Sequence, residues 1–229
     1  MGHSRDASGI GVIFDCDGTL LDTMAGWQQM EHALAARAGV VLTKQDSDLI
    51  TTLTLAECAG LYHERFGLGE TAGEVEGLIE DYMVEFYRNR SAPRPGAVAL
   101  LEGLAARGAR MCVASSTPSA WLMLALDHCG LLSFFDAVYS VDDVGASKRE
   151  PVIYDRARQT MGTELGLTWG VEDAIYAVRT LAGAGYRTLA VYDCDWSGTY
   201  GELADAAEHA VRSFSEVDAD TLIGWTFAG

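Results

Sequence analysis

The stretch GVIFDCDGTLLDT, residues 11–23, places two carboxylates, Asp15 and Asp17, two positions apart after an apolar run and follows them with Gly18 and Thr19. Other polar residues recur at the ends of short apolar runs. Ser115 closes RMCVAS and is followed by Ser116 and Thr117; Lys148 lies beyond DAVYSV; Glu172 and Asp173 close LTWGV. Carboxylates, hydroxyls and one compact cation form a set suited to handling phosphate. Two pairs of acids offer the oxygen ligands that Mg²⁺ prefers, and the metal would cancel the repulsion between carboxylates and phosphate. Asp15 is the candidate nucleophile, because a carboxylate that forms an aspartyl-phosphate splits one hard step into two easier ones. Asp17, two residues on, is placed to give a proton to the leaving oxygen and later take one from water. Ser115, where a strand gives way to a helix, would bind non-transferring phosphoryl oxygens. Lys148 would answer the charge that develops in the transition state. Only Lys44 and Lys148 among the 16 basic residues are lysines, so the compact point charge stands out in a chain that otherwise uses arginine.

These residues converge only if the elements carrying them are parallel strands. Ile10 to Phe14 is short, apolar and branched, and Gly18 supplies a turn, which predicts a buried strand ending near Asp15. After residue 96 helix and strand alternate: helices over Ala97–Arg107, Ser119–Cys129, Pro151–Met161 and Ala174–Ala184, with strands RMCVAS, DAVYSV, LTWGV and TLAVYD. That pattern predicts an α/β, Rossmann-like core, a parallel sheet with helices on both faces and ligands beyond the strands' carboxyl ends. From Asp22 to about Arg90 the pattern is helical throughout. MAGWQQMEHALAARAG has apolar residues at three-to-four spacing and stops at Gly39, and Thr54 with Glu57 and Thr71 with Glu74 read as capping boxes. The expected organisation is a catalytic core of residues 1–21 and 93–229. A small all-helical cap, residues 22–92, is inserted after the first strand as a lid, and SAPRPG, residues 91–96, is the linker back.

Composition bounds the function. The chain has 229 residues, enough for a sizeable core, and 16 basic against 33 acidic residues give a formal charge of -17. That charge disfavours nucleic acid and anionic membrane as partners and leaves a small phosphorylated metabolite as the expected one. Five cysteines without CxxC spacing read as thiols, no apolar run reaches the length of a membrane span, and MGHSRDASGI is unlike a signal peptide. The expected compartment is the cytoplasm.

DCDGT at 15–19, VASST at 113–117, SKREPVIY at 147–154 and VEDA at 171–174 resemble, in order, the four motifs of the haloacid dehalogenase-like hydrolases. The resemblance spans nearly the whole chain, cap included. It implies Mg²⁺-dependent phosphoryl transfer with Asp15 as nucleophile, Asp17 as acid and base, and Ser115 and Lys148 on the phosphate. Asp15, Asp173, Glu172 and the backbone carbonyl of Asp17 are then the implied metal ligands. Gly18, Thr19, Ser116, Thr117 and Trp27 are candidates for the substrate's surroundings, although Ser116 and Thr117 also read as helix-capping residues before Pro118. Trp27 reads equally as a pocket wall or as packing within the cap. Arg149 stands where the family usually has proline after the lysine.

The family's sugar-phosphate mutases carry a histidine where Trp27 stands and tend to have an arginine in the cap loop that here reads ITTLTLAEC; both absences favour a phosphatase. Dehalogenases of the family lack the second aspartate. The competing readings are a mutase of the beta-phosphoglucomutase kind, a phosphoacceptor signalling module, and a silent phosphate-binding protein. Asp142 and Asp143 read as a polar turn, and Asp193 and Asp195 as turn formers before Gly198, despite their DxD spacing. Cys16, between the two acids, reads as packing.

Overall fold

The computed structural model describes residues 7–50, 53–195 and 197–228. Thr51 and Thr52, in the uncharged cap loop ITTLT, lie outside them. Six strands, β1 (Gly11–Phe14), β2 (Arg110–Ser115), β3 (Ala137–Ser140), β4 (Thr168–Glu172), β5 (Arg187–Val191) and β6 (His209–Val211), form one sheet in the order β3-β2-β1-β4-β5-β6. Every pairing is parallel, and helices cover both faces. All four residues of β1 are buried, as a strand covered on both faces requires. The chain builds outward from β1 through β2 to β3, then returns to β1's other side with β4. The reversal makes the carboxyl ends of β1 and β4 the topological switch point, where open α/β sheets bind ligands.

Contacts divide the chain into two compact units, Met1–Asp22 with Ala92–Gly229, and Thr23–Ser91. In the helical unit, α1 (Met24–Ala38), α2 (Lys44–Ile50), α3 (Leu55–Phe66) and α4 (Ala72–Asn89) pack chiefly as α3 on α4 and α1 on α4. Helix α1 stops at Gly39 in the left-handed conformation, φ 70°. The Thr54 capping box forms in both directions. At Thr71 only half of one forms: its hydroxyl accepts from the Glu74 amide, while the Glu74 carboxylate accepts from the Glu70 amide instead of returning to Thr71. Helix α2 was not evident in the sequence pattern. It starts at a Thr43–Asp46 pair, whose shorter acid does the work of the usual Glu.

The α/β unit adds α5 (Ala97–Ala105), α6 (Ser119–His128), α7 (Val141–Val144), α8 (Val152–Met161), α9 (Ile175–Gly183), α10 (Tyr200–Ala206) and α11 (Ala219–Thr226). Successive residues of β1 serve opposite faces. Ile13 joins the cluster under α8 with Cys112, Ile153, Tyr154 and Ala157, while Phe14 meets Phe135 and Phe214 edge-on. The fully buried Trp169 of β4 donates its indole N–H to Thr226 Oγ1 on α11 at 2.8 Å. Asp142 and Asp143, expected in a turn, form the first turn of α7, capped by Ser140.

Candidate active site

Register explains why distant residues meet. Phe14 of β1 pairs with Val113 of β2 and Val171 of β4, and the Asp15 amide donates to the Val171 carbonyl at 2.9 Å. Asp15 is thereby set beside Glu172, one residue past the last shared rung, with Asp173 next. Asp15, Glu172 and Asp173 each present an oxygen, and the three oxygens lie within 4.8 Å of one another. Lys148, in the segment between α7 and α8, reaches this cluster and donates to Asp15 Oδ1 and, at 2.6 Å, to Glu172 Oε1. Tyr154 adds a hydroxyl to the same Glu172 oxygen at 2.9 Å.

The electrostatics follow from burial: Lys148 is 3% exposed and Glu172 1%. Burial by itself lowers the Lys148 pKa, but the Asp15 and Glu172 carboxylates more than offset it and hold the ammonium well above its ordinary value. Burial drives Glu172 up to about 8 against the pull of Lys148, with Asp15 and Asp173 adding to the rise. It likewise drives Asp173 up to about 7, with Asp15 reinforcing. Three carboxylates thus share one cation.

The donor set fits a small, hard divalent cation. Its ligands are all oxygens, and Glu172 Oε2 is buried without a hydrogen-bond partner, a costly state that a cation at the cluster would relieve. The Asp17 side chain is not part of the cluster: its Oδ2 accepts from Thr117 Oγ1 at 2.7 Å. A place for Asp17 among the ligands rests on its backbone carbonyl.

The remaining candidates divide by exposure. Ser115 is buried and its Oγ accepts from the Thr117 amide at 3.1 Å. Thr117 therefore links Ser115 to Asp17 as well as opening the loop into α6. Thr19, fully buried, donates to Asp173 Oδ1 at 3.2 Å, so its hydroxyl braces an acid of the cluster. Gly18 takes φ 77°, open to glycine at no steric cost. Ser116 is exposed and its side chain reaches the phenol of Tyr176, in the first turn of α9. Trp27 is half-buried in the helical unit. Cys16 is fully buried, and burial followed by the neighbouring Asp17 and Asp15 charges raises its thiol well above the ordinary value. It stays protonated and packs.

One residue escaped the sequence reading altogether. Arg94, in the proline-rich return segment, donates to the Gly18 carbonyl, to Asp193 Oδ1 at 2.9 Å and to the Tyr192 carbonyl at 2.7 Å. Asp193 is thus the ion-pair partner of the half-buried Arg94, a role the turn reading did not include, while Asp195 accepts from the Tyr192 hydroxyl. Nothing in the local sequence at Arg94 signals partners 76 and 99 residues away.

A family model described as haloacid dehalogenase-like hydrolase matches residues 11–185, from the first residue of β1 to the glycine after α9. The chain belongs to the haloacid dehalogenase-like hydrolases. Within this family it is 26% identical over 223 residues to the phosphoglycolate phosphatase of Cereibacter sphaeroides, covering 87% of this chain and 98% of the relative. Among solved structures, CbbY from Rhodobacter sphaeroides in complex with phosphate aligns at TM-score 0.75 and 23% identity, over 90% of this chain and 95% of CbbY. A variant of CbbY is described in complex with xylulose-(1,5)bisphosphate. The beta-phosphoglucomutase of Clostridium difficile aligns at TM-score 0.74 and 18% identity, over 94% of this chain and 96% of that one. The two structural likenesses establish the fold. This hydrolase contains, among its described residues, no helix long and apolar enough to cross a membrane.

Proposed function

We propose that this hydrolase is a Mg²⁺-dependent phosphatase that removes phosphate from a small phosphorylated metabolite through an aspartyl-phosphate on Asp15. The observation that carries the reading is the meeting of Asp15, Lys148, Glu172 and Asp173 from three separated segments at one sheet edge. Asp17 stands two residues away on Thr117.

In the first half-reaction the Asp15 carboxylate attacks phosphorus, the bond to the leaving oxygen breaks, and Asp17 gives that oxygen its proton. In the second, water attacks phosphorus, Asp17 takes the water's proton, and the bond from phosphorus to the Asp15 oxygen breaks, which restores the carboxylate and releases inorganic phosphate. Lys148 holds Asp15 in place and opposes the negative charge on the transferring group, and Ser115 with its neighbouring amides orients the phosphoryl oxygens. Mg²⁺, held by Asp15, Glu172, Asp173 and the Asp17 carbonyl, would supply the positive charge that lets a phosphate dianion approach these carboxylates. Thr117 keeps Asp17 in one orientation between the two half-reactions. Gly18, Thr19 and Ser116 are the candidates for the substrate's surroundings on the α/β unit, and Trp27 is the candidate within the proposed cap, residues 22–92. The cytoplasm is the proposed compartment, in keeping with five cysteines whose spacing reads as thiols rather than a disulfide framework.

Hydrolysis is favoured over a mutase by Trp27, where the mutases of the family carry a histidine. The test is phosphate release from a panel of phosphorylated metabolites, with Mg²⁺ and with chelator. The panel includes a hexose phosphate supplied with its bisphosphate. Metal-dependent release from one compound class is expected, with a loss of about 10³-fold or more on Asp15→Asn. Isomer formed without free phosphate would make the protein a mutase, and an active Asp15→Asn variant would remove Asp15 from the nucleophile's role.

A further inference from the structure

We infer that Arg94 is a positioning residue for Asp17: it fixes the backbone turn that carries the general acid and base. The inference rests on the phosphatase reading above for the role of Asp17; what it adds is the device that holds Asp17 still.

The loop after β1 has an inherent weakness. A glycine at φ 77° follows Asp17 directly, and glycine's freedom of rotation would let the Asp17 backbone swing. The structure removes that freedom on both sides of Gly18. Its N–H donates to the Leu21 carbonyl at 3.0 Å, and the Leu21 amide donates to the Cys16 carbonyl at 2.9 Å, so the loop closes on itself. The Gly18 carbonyl is held by the Arg94 guanidinium. With its N–H and its C=O both committed, the two peptide planes flanking Gly18 are fixed, and the Asp17–Gly18 peptide is one of them.

Arg94 can hold a loop only if it is itself anchored. Its amide donates to the Leu20 carbonyl at 2.8 Å, and Leu21 bridges Pro93, so the return segment runs antiparallel to the loop. The far side of the guanidinium is seated on the end of β5, through the Tyr192 carbonyl and the Asp193 carboxylate. The side chains of Arg94 and Asp193 are 11% and 14% exposed, so the pair is shielded from water. Three acceptors in three directions require the planar fork of arginine; a lysine ammonium would keep the charge beside Asp193 without spanning all three.

A displaced general acid has a specific kinetic signature. Esters with acidic leaving groups depart without a proton, whereas those with basic leaving groups need one, so a misplaced Asp17 penalises the second kind selectively. The experiment measures kcat and KM, with Mg²⁺ and the full chain, for p-nitrophenyl, phenyl and p-methoxyphenyl phosphate. The proteins are the parent, Arg94→Ala, Arg94→Lys and, as reference, Asp17→Asn. In both Arg94 variants kcat/KM, which reports only the steps through departure of the leaving group, should fall about 10- to 100-fold for the methoxyphenyl ester, within the range for a slightly misplaced catalytic group. It should stay within about threefold of the parent for the nitrophenyl ester, and Asp17→Asn should give the steepest dependence of kcat/KM on the leaving group, whereas its kcat, which includes the common second half-reaction, falls for all three esters. A steep Asp17→Asn series in kcat/KM beside parent-like or uniformly lowered kcat/KM series in both Arg94 variants would overturn the positioning role alone. A flat Asp17→Asn series would overturn the acid assignment and the inference with it. Arg94→Lys keeps the test usable where Arg94→Ala does not fold, since it retains the charge that pairs with Asp193.

Discussion

The strand-end edge of the α/β unit and the interior of the helical unit are both buried, but they are held together in opposite ways. At the edge the buried groups are polar: Asp15, Thr19, Ser115, Lys148, Glu172 and Asp173. They satisfy one another through a few directional bonds, with a surplus of negative charge. Inside the helical unit the buried groups are mostly apolar, with Met30, Leu34, Tyr62, Val75, Ile79, Met83, Phe86 and Tyr87 packed between α1, α3 and α4. The edge trades stability for a preorganised field, and it depends on what binds there. The helical unit gains stability from close packing and depends on volume.

That contrast breaks first, and with the largest effect, at Lys148. Replacing it with Met leaves Asp15, Glu172 and Asp173 facing one another without their cation. We expect kcat to fall about 10²- to 10³-fold and unfolding free energy to fall by about 3–5 kcal/mol, the cost of removing one partner of a buried ion pair. Added Mg²⁺ should raise the Tm of the variant more than that of the parent, because the ion substitutes for the lost charge. A variant with parent-like Tm and metal response would show the edge to be held by packing after all. The matching test of the helical unit is Gly26→Ala. A Cβ there would stand 2.4 Å from Cζ of Phe86, so α1 would have to move off α4. A loss of about 1–3 kcal/mol is expected, recovered in part by adding Phe86→Leu, as coupled neighbours are not additive. Additive effects of the two substitutions would show that the close approach carries no strain.

What was legible in the sequence follows the same division. The meeting of Asp15, Lys148, Glu172 and Asp173 could be anticipated because each ends or follows a short apolar run, and a parallel sheet brings all such ends to one edge. The existence of strands β1 to β5 along the chain and the helical character of residues 22–90 came from periodicity in the same way, while their order in the sheet did not. Elements too short to show a period did not: β6 has three residues, α7 four, and α2 begins at a Thr–Asp rather than a Thr–Glu cap. Thr117 read as a cap because a hydroxyl before Pro118 explains itself locally; its bond to Asp17 spans 100 residues of sequence. Arg94 had no local signal at all. Spacing within a motif locates the groups proposed to react, whereas the groups that hold them are set by tertiary distance and stay silent in a single sequence.

Glu31 gives the smallest and most diagnostic contrast, since it is a carboxylate placed in the unit built on packing. It is 6% exposed on α1, with Tyr62 donating its hydroxyl to the Glu31 carbonyl at 2.9 Å. Burial, with no cation opposing it, raises its carboxyl from 4.5 to about 7. At the sheet edge Lys148 offsets part of the same penalty; among the described residues no cation does so at Glu31. In the folded chain Glu31 therefore keeps its proton to a higher pH than in the unfolded chain, so the folded state binds more protons between about pH 4.5 and 7. Its contribution to stability is present in full below about pH 4.5 and is lost as pH rises through about 7. Glu31→Gln has no proton to lose. It should match the parent near pH 4.5 and exceed it at pH 8, by about 1–2 kcal/mol once water at the helix surface screens the charge. Chemical denaturation of both proteins across this range reads the difference directly. A gap that stays constant with pH would mean that Glu31 ionises freely in the fold, and that the helical unit tolerates a charge which the sheet edge must pair.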